Sequence, residues 1–193
     1  MKLQRETWLK YTEQDYLYIT DLGDPADPLH LGCNSTQRPK EQAAHKYYDF
    51  LRTLPLEPYD WVVFAEDDTF IFPKRLEAYL ANIDPTEPTM IGRCMPTMTW
   101  SVGAGLILSR PLVAWLKQYL LTTDLIMIPM YDRVDTTLLA WINEAPDIKR
   151  FSEPLLNHYD VDSPFSTTFD VAISYHMIRT EEQFRSLCCG SAF

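Results

Sequence analysis

The sequence predicts an α/β sandwich, with helices on both faces of a mixed, mainly parallel central sheet. Two observations carry that reading. Trp61-Val62-Val63-Phe64-Ala65 is an unbroken apolar run of strand length, the pattern of a strand covered on both faces. Around it, short β-rich runs alternate with amphipathic stretches of roughly ten to fifteen residues, the spacing of strand–helix–strand units.

The elements follow in order. Tyr16 to Thr20 (YLYIT) reads as a strand stopped by the loop Asp21-Leu22-Gly23-Asp24-Pro25. Pro39 fits the first turn of a helix reaching about Leu54, with Ala43, Tyr47, Phe50, Leu51 and Leu54 on one face. The strand at Trp61 comes next, and three acids follow it directly. Pro73 opens a helix that buries Leu76, Tyr79, Leu80 and Ile83. Met90-Ile91-Gly92 is a short strand. Ser101-Val102-Gly103-Ala104-Gly105 is a small-residue loop that leads into the strand Leu106-Ile107-Leu108. Pro111 opens a helix to about Leu121, Asp135 to about Asn143 is helical, and Val171 to Tyr175 is a last strand before His176.

A chain of 193 residues with 46% apolar content suits one compact domain, residues 1–193. Its formal net charge of −10 argues against a nucleic-acid partner, which calls for a basic surface. A phosphate-bearing ligand could approach such a protein only where a cation or a local basic patch reverses the field. No apolar run reaches the roughly 18 residues of a membrane span, and Met1-Lys2-Leu3-Gln4-Arg5-Glu6 lacks the apolar core of a signal peptide. Cys33, Cys94, Cys188 and Cys189 show no CxxC spacing, which argues against a zinc site. The cysteines and the sequon Asn34-Ser35-Thr36 leave the compartment open.

Glu66-Asp67-Asp68 stands where a buried strand leaves the sheet, and ligands of open α/β sheets bind outside the carboxyl ends of strands. Adjacent carboxylates repel one another, more so when partly buried, and a cation relieves that repulsion. An oxygen-rich site of this kind suits Mg²⁺ or Mn²⁺, held jointly by carboxylates and substrate phosphates. The alternative is a solvated loop in which Asp68 or Thr69 caps the following helix.

The surroundings of the triplet resemble a known family. Tyr59-Asp60-Trp61-Val62-Val63-Phe64-Ala65-Glu66-Asp67-Asp68-Thr69-Phe70 resembles the strand and DDD motif of fringe and core-1 β1,3-galactosyltransferase enzymes. Glu6-Thr7-Trp8 and Tyr18-Ile19-Thr20-Asp21 are similar to the TW and FTD segments of fringe. Ser101 to Ser109 resembles the GGAGYVLS segment, and Asp135-Thr136-Thr137-Leu138 resembles the later DDxTLG motif. Ser174-Tyr175-His176 with Glu181-Glu182 is similar to the SYH segment of core-1 synthases.

That resemblance implies a GT-A-like, Rossmann-like α/β/α fold and inverting transfer, with β1,3 linkage, from a UDP-sugar to a glycan or glycoprotein acceptor. It implies Mn²⁺ or Mg²⁺ as cofactor and the Golgi or secretory-pathway lumen as compartment. Carried over by position, Asp68 and His176 would ligate the metal, while Glu66 and Asp67 would contact ribose, metal or its waters. Asp135 would be the general base that takes the acceptor's proton. Gly103, Ala104 and Gly105 would let sugar approach the backbone, and Trp100 would offer an apolar face.

The sequence departs from the family pattern at Glu66 (commonly Asp), Val134 (commonly acidic) and Leu139 (commonly Gly). The family's first strand, which helps hold the uridine, is expected to be missing, as are the tail, anchor and stem of a Golgi enzyme. The family also includes a chaperone of core-1 synthase that lacks the acidic motif, so a non-catalytic binding or chaperone domain is the alternative. A metal-dependent hydrolase ranks third, because the sequence offers no second His and acid cluster for a two-metal centre.

Overall fold

Successive residues along the central strands enter two different cores, and that alternation organises the fold. A computed structural model describes residues 2–12, 16–20, 26, 30–32, 42–95, 100–124, 131, 134–159, 162–163 and 168–190. Helix α1 (Lys2–Glu6) and a 3-10 turn (Leu9–Tyr11) precede a parallel strand pair, β1 (Tyr18–Thr20) and β2 (His30–Gly32). Next come α2 (Gln42–Thr53), β3 (Trp61–Phe64), β4 (Phe70–Ile71), α3 (Pro73–Leu80), β5 (Thr89–Cys94), β6 (Trp100–Ser101) and β7 (Leu106–Ser109). The chain continues through α4 (Arg110–Thr122), α5 (Val134–Asn143), β8 (Lys149–Ser152), β9 (Leu156–Asn157), β10 (Ser174–Tyr175) and α6 (Glu181–Gly190).

On one face of the five-stranded sheet, Phe64, Met90, Leu106 and Leu108 pack against Leu51 of α2, Leu112 and Leu116 of α4, and Leu138 and Trp141 of α5. On the other face, Ile91 and Ile107 meet Leu76 of α3 and Ile71, Leu156 and Ile173 of the small-sheet layer. Beyond that layer, Phe70, Phe72 and Tyr175 pack against Phe184 and Leu187 of α6. Each fully buried aliphatic side chain contributes roughly 1.5–3 kcal/mol, so the two faces of the large sheet supply much of the stability. The expected sandwich is therefore present, but its second layer combines α3 with a three-stranded sheet ordered β4-β10-β9.

The strand directions correct one expectation. Strands β3 and β7, β7 and β5, and β5 and β6 pair antiparallel, and only β5 with β8 pairs parallel in the large sheet. The sheet is mixed but not mainly parallel. Strand–helix–strand alternation does set β3, β5 and β8 running the same way. The return segment β7 then inserts between β3 and β5 and runs against both. The apolar run at Trp61 forms β3, the end strand of this order, where Phe64 is buried and Trp61, Val62 and Val63 are half-buried against the two cores. The expected full cover on both faces is met only in part.

Strands β6 and β7 both run antiparallel to β5, with residues 102–105 looping out between them. Helix α4 starts at Arg110 with Pro111 in its first turn, where a missing N–H costs nothing. Ser109 precedes it in extended conformation without capping it. Its Oγ instead accepts from the Thr89 N–H at 2.8 Å and donates to the Glu87 carbonyl at 2.7 Å, clipping the start of β5 to the end of β7.

Helix α2 buries Ala44, Tyr48 and Leu51, and Leu54 is buried just past its end, so its inward face is centred one residue later than expected, with Tyr47 and Phe50 on its flank. Its predicted start at Pro39, the loop 21–25 and the sequon 34–36 lie outside the described residues. The predicted strand Val171 to Tyr175 shortens to Ser174–Tyr175. Among the described residues, no helix is long and apolar enough to cross a membrane.

Candidate metal centre

The acidic triplet leaves β3 in a turn closed by the Thr69 N–H to Glu66 carbonyl bond at 3.2 Å. Three separate segments hold this turn in place. Gln4 donates from its side-chain amide to the Asp67 carbonyl, and the Trp8 indole N–H donates to the Thr69 carbonyl at 3.0 Å. Thr69 Oγ1 donates to the Gly103 carbonyl at 2.6 Å. From β10, the chain passes through His176 and then Met177, whose left-handed φ of 61° turns the backbone so that the Ile178 N–H reaches the Asp68 carbonyl at 2.9 Å. The acid turn and the histidine are thus joined by main chain as well as by side chains.

Glu66, Asp68 and His176 converge, with one ligand atom from each lying within 4.8 Å of the others. His176 Nε2 is 3.1 Å from Glu66 Oε2 and 3.0 Å from Asp68 Oδ1. Its Nδ1 faces the His158 carbonyl at 3.2 Å. A carbonyl only accepts, so Nδ1 carries a proton and Nε2 is the nitrogen turned to the carboxylates. A neutral ring so oriented would aim a lone pair at two anionic groups. That arrangement calls for a proton or a metal cation between them.

The proton serves one carboxylate but not both. Glu66 accepts the His176 hydrogen bond, while Asp68 Oδ1, sealed from solvent, meets the same nitrogen at 3.0 Å as an ion contact and accepts no hydrogen bond among the described residues. A buried carboxylate oxygen without a hydrogen bond is costly, and a cation placed beside it would relieve that cost. Electrostatics agree. The His176 bond, against the opposing effect of burial, holds Glu66 below the usual carboxylate range. Burial pushes Asp68 up, opposed by the charge of His176 and aided by those of Glu66 and Asp67. For His176, burial works against the charged ring, but the Glu66 bond and the Asp68 and Glu66 charges outweigh it and raise its pKa. Two carboxylate oxygens and one imidazole nitrogen so placed could hold a metal ion.

Gly103 explains how the ring fits. A Cβ there would stand closer than 3.0 Å to Cε1 and Nε2 of His176, so the absent side chain is the space the imidazole occupies. Gly105 has φ of 101°, a conformation that an L side chain rarely adopts. Ala104 is buried; its N–H donates to Ser101 Oγ at 3.0 Å and its carbonyl accepts from Ser174 Oγ.

The other predicted site residues are placed as follows. Asp67 has an exposed side chain outside the three-residue group, its carbonyl engaged by Gln4. Trp100 is half-buried, with its ring across Gly92 of β5 and against the main core. Asp135 lies in the first turn of α5, not at its cap, and its Oδ1 accepts from the Thr136 N–H at 2.9 Å. It stands outside the metal group, but its negative charge is felt at His158.

His158 was not foreseen. Its ring lies 5.3 Å from that of His176, and its Nδ1 is 2.8 Å from Ser101 Oγ. Burial lowers its pKa, aided by His176 and opposed by Glu66 and Asp135. A single histidine in Asn157-His158-Tyr159, without a repeated spacing, offers no pattern to detect. No protein-family model and no curated protein sequence matches the chain.

Proposed function

We propose that the protein is a metal-dependent glycosyltransferase that moves a hexose or N-acetylhexosamine from a UDP-sugar to a hydroxyl of a glycan or glycoprotein. The observation that carries the proposal is the meeting of Glu66, Asp68 and His176, two segments 110 residues apart in sequence, with one ligand atom from each within 4.8 Å of the others. These residues would hold Mn²⁺, or Mg²⁺ in its place. When bound, the ion would neutralise the charge gathering on the departing diphosphate. Such an ion also answers the difficulty of binding an anion on a chain of net charge −10.

The protein's own groups then have separable tasks. Asp68 and Glu66 supply anionic oxygen, and His176 supplies nitrogen whose direction is set by the His158 carbonyl. Asp135 is the candidate general base, following the resemblance of Asp135-Thr136-Thr137-Leu138. The acceptor O–H would attack the anomeric carbon from the face opposite UDP. Its proton would pass to the Asp135 carboxylate as the bond to the diphosphate oxygen breaks, releasing UDP with inversion.

A panel of UDP-sugars with Mn²⁺, scored for transfer to glycan acceptors and for slow donor hydrolysis, tests the proposal. Turnover of at least one donor, abolished by EDTA, is expected. UDP and Mn²⁺ binding with no transfer or hydrolysis of any donor would instead leave a non-catalytic binding domain.

A further inference from the structure

We infer that Ser101 and His158 form a positioning pair that orients His176 within the cation centre. The inference rests on the metal-centre reading above and adds residues that touch no ligand. Two surroundings determine where the His176 ring points. One is the Gly103 backbone, which admits the ring only because it has no Cβ. The other is the His158 carbonyl, which accepts from Nδ1 and so turns Nε2 towards Glu66 and Asp68.

Both surroundings lead to one hydroxyl. Ser101 closes β6, is almost wholly buried, and accepts from the Ala104 N–H at 3.0 Å, which holds the turn carrying Gly103. Its hydroxyl hydrogen must then find an acceptor, and His158 Nδ1 stands at 2.8 Å. With Nδ1 accepting, the His158 ring carries its proton on Nε2. The Ser101–His158 bond fixes the ring, and with it the residue whose carbonyl receives the His176 N–H. The His158 ring also lies against His176 at 5.3 Å and against Tyr159 at 5.1 Å. Partners of this kind fix ligand direction and raise metal affinity without contacting the metal.

The test is Mn²⁺ titration of the full chain by calorimetry, with electron paramagnetic resonance of the bound ion, for the wild type and five variants. Ser101→Ala and His158→Ala are each expected to weaken Mn²⁺ binding by roughly tenfold to a hundredfold. They should also alter the resonance at saturating Mn²⁺ while leaving far-ultraviolet circular dichroism unchanged. Ser101→Thr keeps the hydroxyl, and His158→Asn places an acceptor where Nδ1 stood, so both should recover most of the loss. The double alanine variant should cost little more than either single change, because both cut the same link. Wild-type affinity and resonance in Ser101→Ala and His158→Ala overturn the positioning pair and leave the metal centre standing. Absence of Mn²⁺ binding by the wild type overturns both. If Ser101→Ala fails to fold, the His158→Ala and His158→Asn comparison decides: equal affinities in those two variants contradict the inference.

Discussion

His176 does three things at once: it fills the space beside Gly103, donates to a backbone carbonyl, and faces two carboxylates. Gly103→Ala should therefore act on the site as well as on the fold. The added methyl would force the ring aside, costing about 1–3 kcal/mol of stability and weakening Mn²⁺ binding. Thermal melts and calorimetry read the two effects separately, and unchanged metal affinity would separate Gly103 from the site. Acidity should matter too. His176 must shed its Nε2 proton and Asp68 must be ionised before they can ligate, and both pKa values are raised. Mn²⁺ affinity is thus expected to fall as pH drops through the His176 value, which lies above 6.5, and to level off above it. A profile that stays flat as pH rises through the neutral range would contradict nitrogen ligation. Asp135→Asn should retain UDP and Mn²⁺ binding but lose sugar transfer, since the amide cannot take the acceptor's proton. Undiminished transfer would remove Asp135 from that role. At this scale the sequence made Asp68 and His176 legible through their motifs. The place of Glu66 beside them depends on side-chain direction at a turn, which spacing along the chain does not encode.

Between residues and fold, the segment from β6 to β7 is the element on which the site depends. It leaves the sheet for residues 102–105, supplies the Gly103 cradle, and returns as β7, buried along its whole length. Gly105, at φ 101°, permits that return. Gly105→Ala should cost about 1–3 kcal/mol, read as a lower denaturant midpoint with an unchanged slope. Wild-type stability in that variant would show that the turn tolerates a side chain. Periodicity revealed the longer elements well: the Trp61 strand, the helices opened by Pro73 and Pro111, and the helix around Trp141 all bury apolar faces. Strands β4, β9 and β10 are two residues each, too short to display a period, and they exist because they pair with one another. Strand β8 (KRFS) is exposed throughout and carries no apolar alternation; its pairing with β5 makes it a strand.

For the whole molecule, layering places the candidate metal centre at a boundary. The acid turn emerges from the large sheet, whereas His176 follows β10 of the small sheet, so the centre lies where the two layers meet. A cation bound there would tie the layers together. Mn²⁺ at a hundred times its dissociation constant should add about 2.7 kcal/mol to the stability of the folded state and raise the melting temperature. The α/β class was legible in the sequence because alternation of element type survives any rearrangement of strand order. Strand direction was not, because the insertion of β7 between β3 and β5 is a property of the three-dimensional return path. The triplet was readable as a candidate cation site, and two of its carboxylates, Glu66 and Asp68, do meet in a group that could hold a metal; their histidine partner came from resemblance and from folding, not from proximity in the chain. The most direct test of the cation centre is a Mn²⁺ titration of the wild type, Asp68→Ala and His176→Ala, followed by UDP binding to each with Mn²⁺ or with EDTA. The wild type should bind one Mn²⁺ per chain and hold UDP only when the metal is present, and both variants should lose most of each affinity. Equal UDP affinity in EDTA and Mn²⁺, or wild-type metal binding in either variant, would contradict a centre built from these residues.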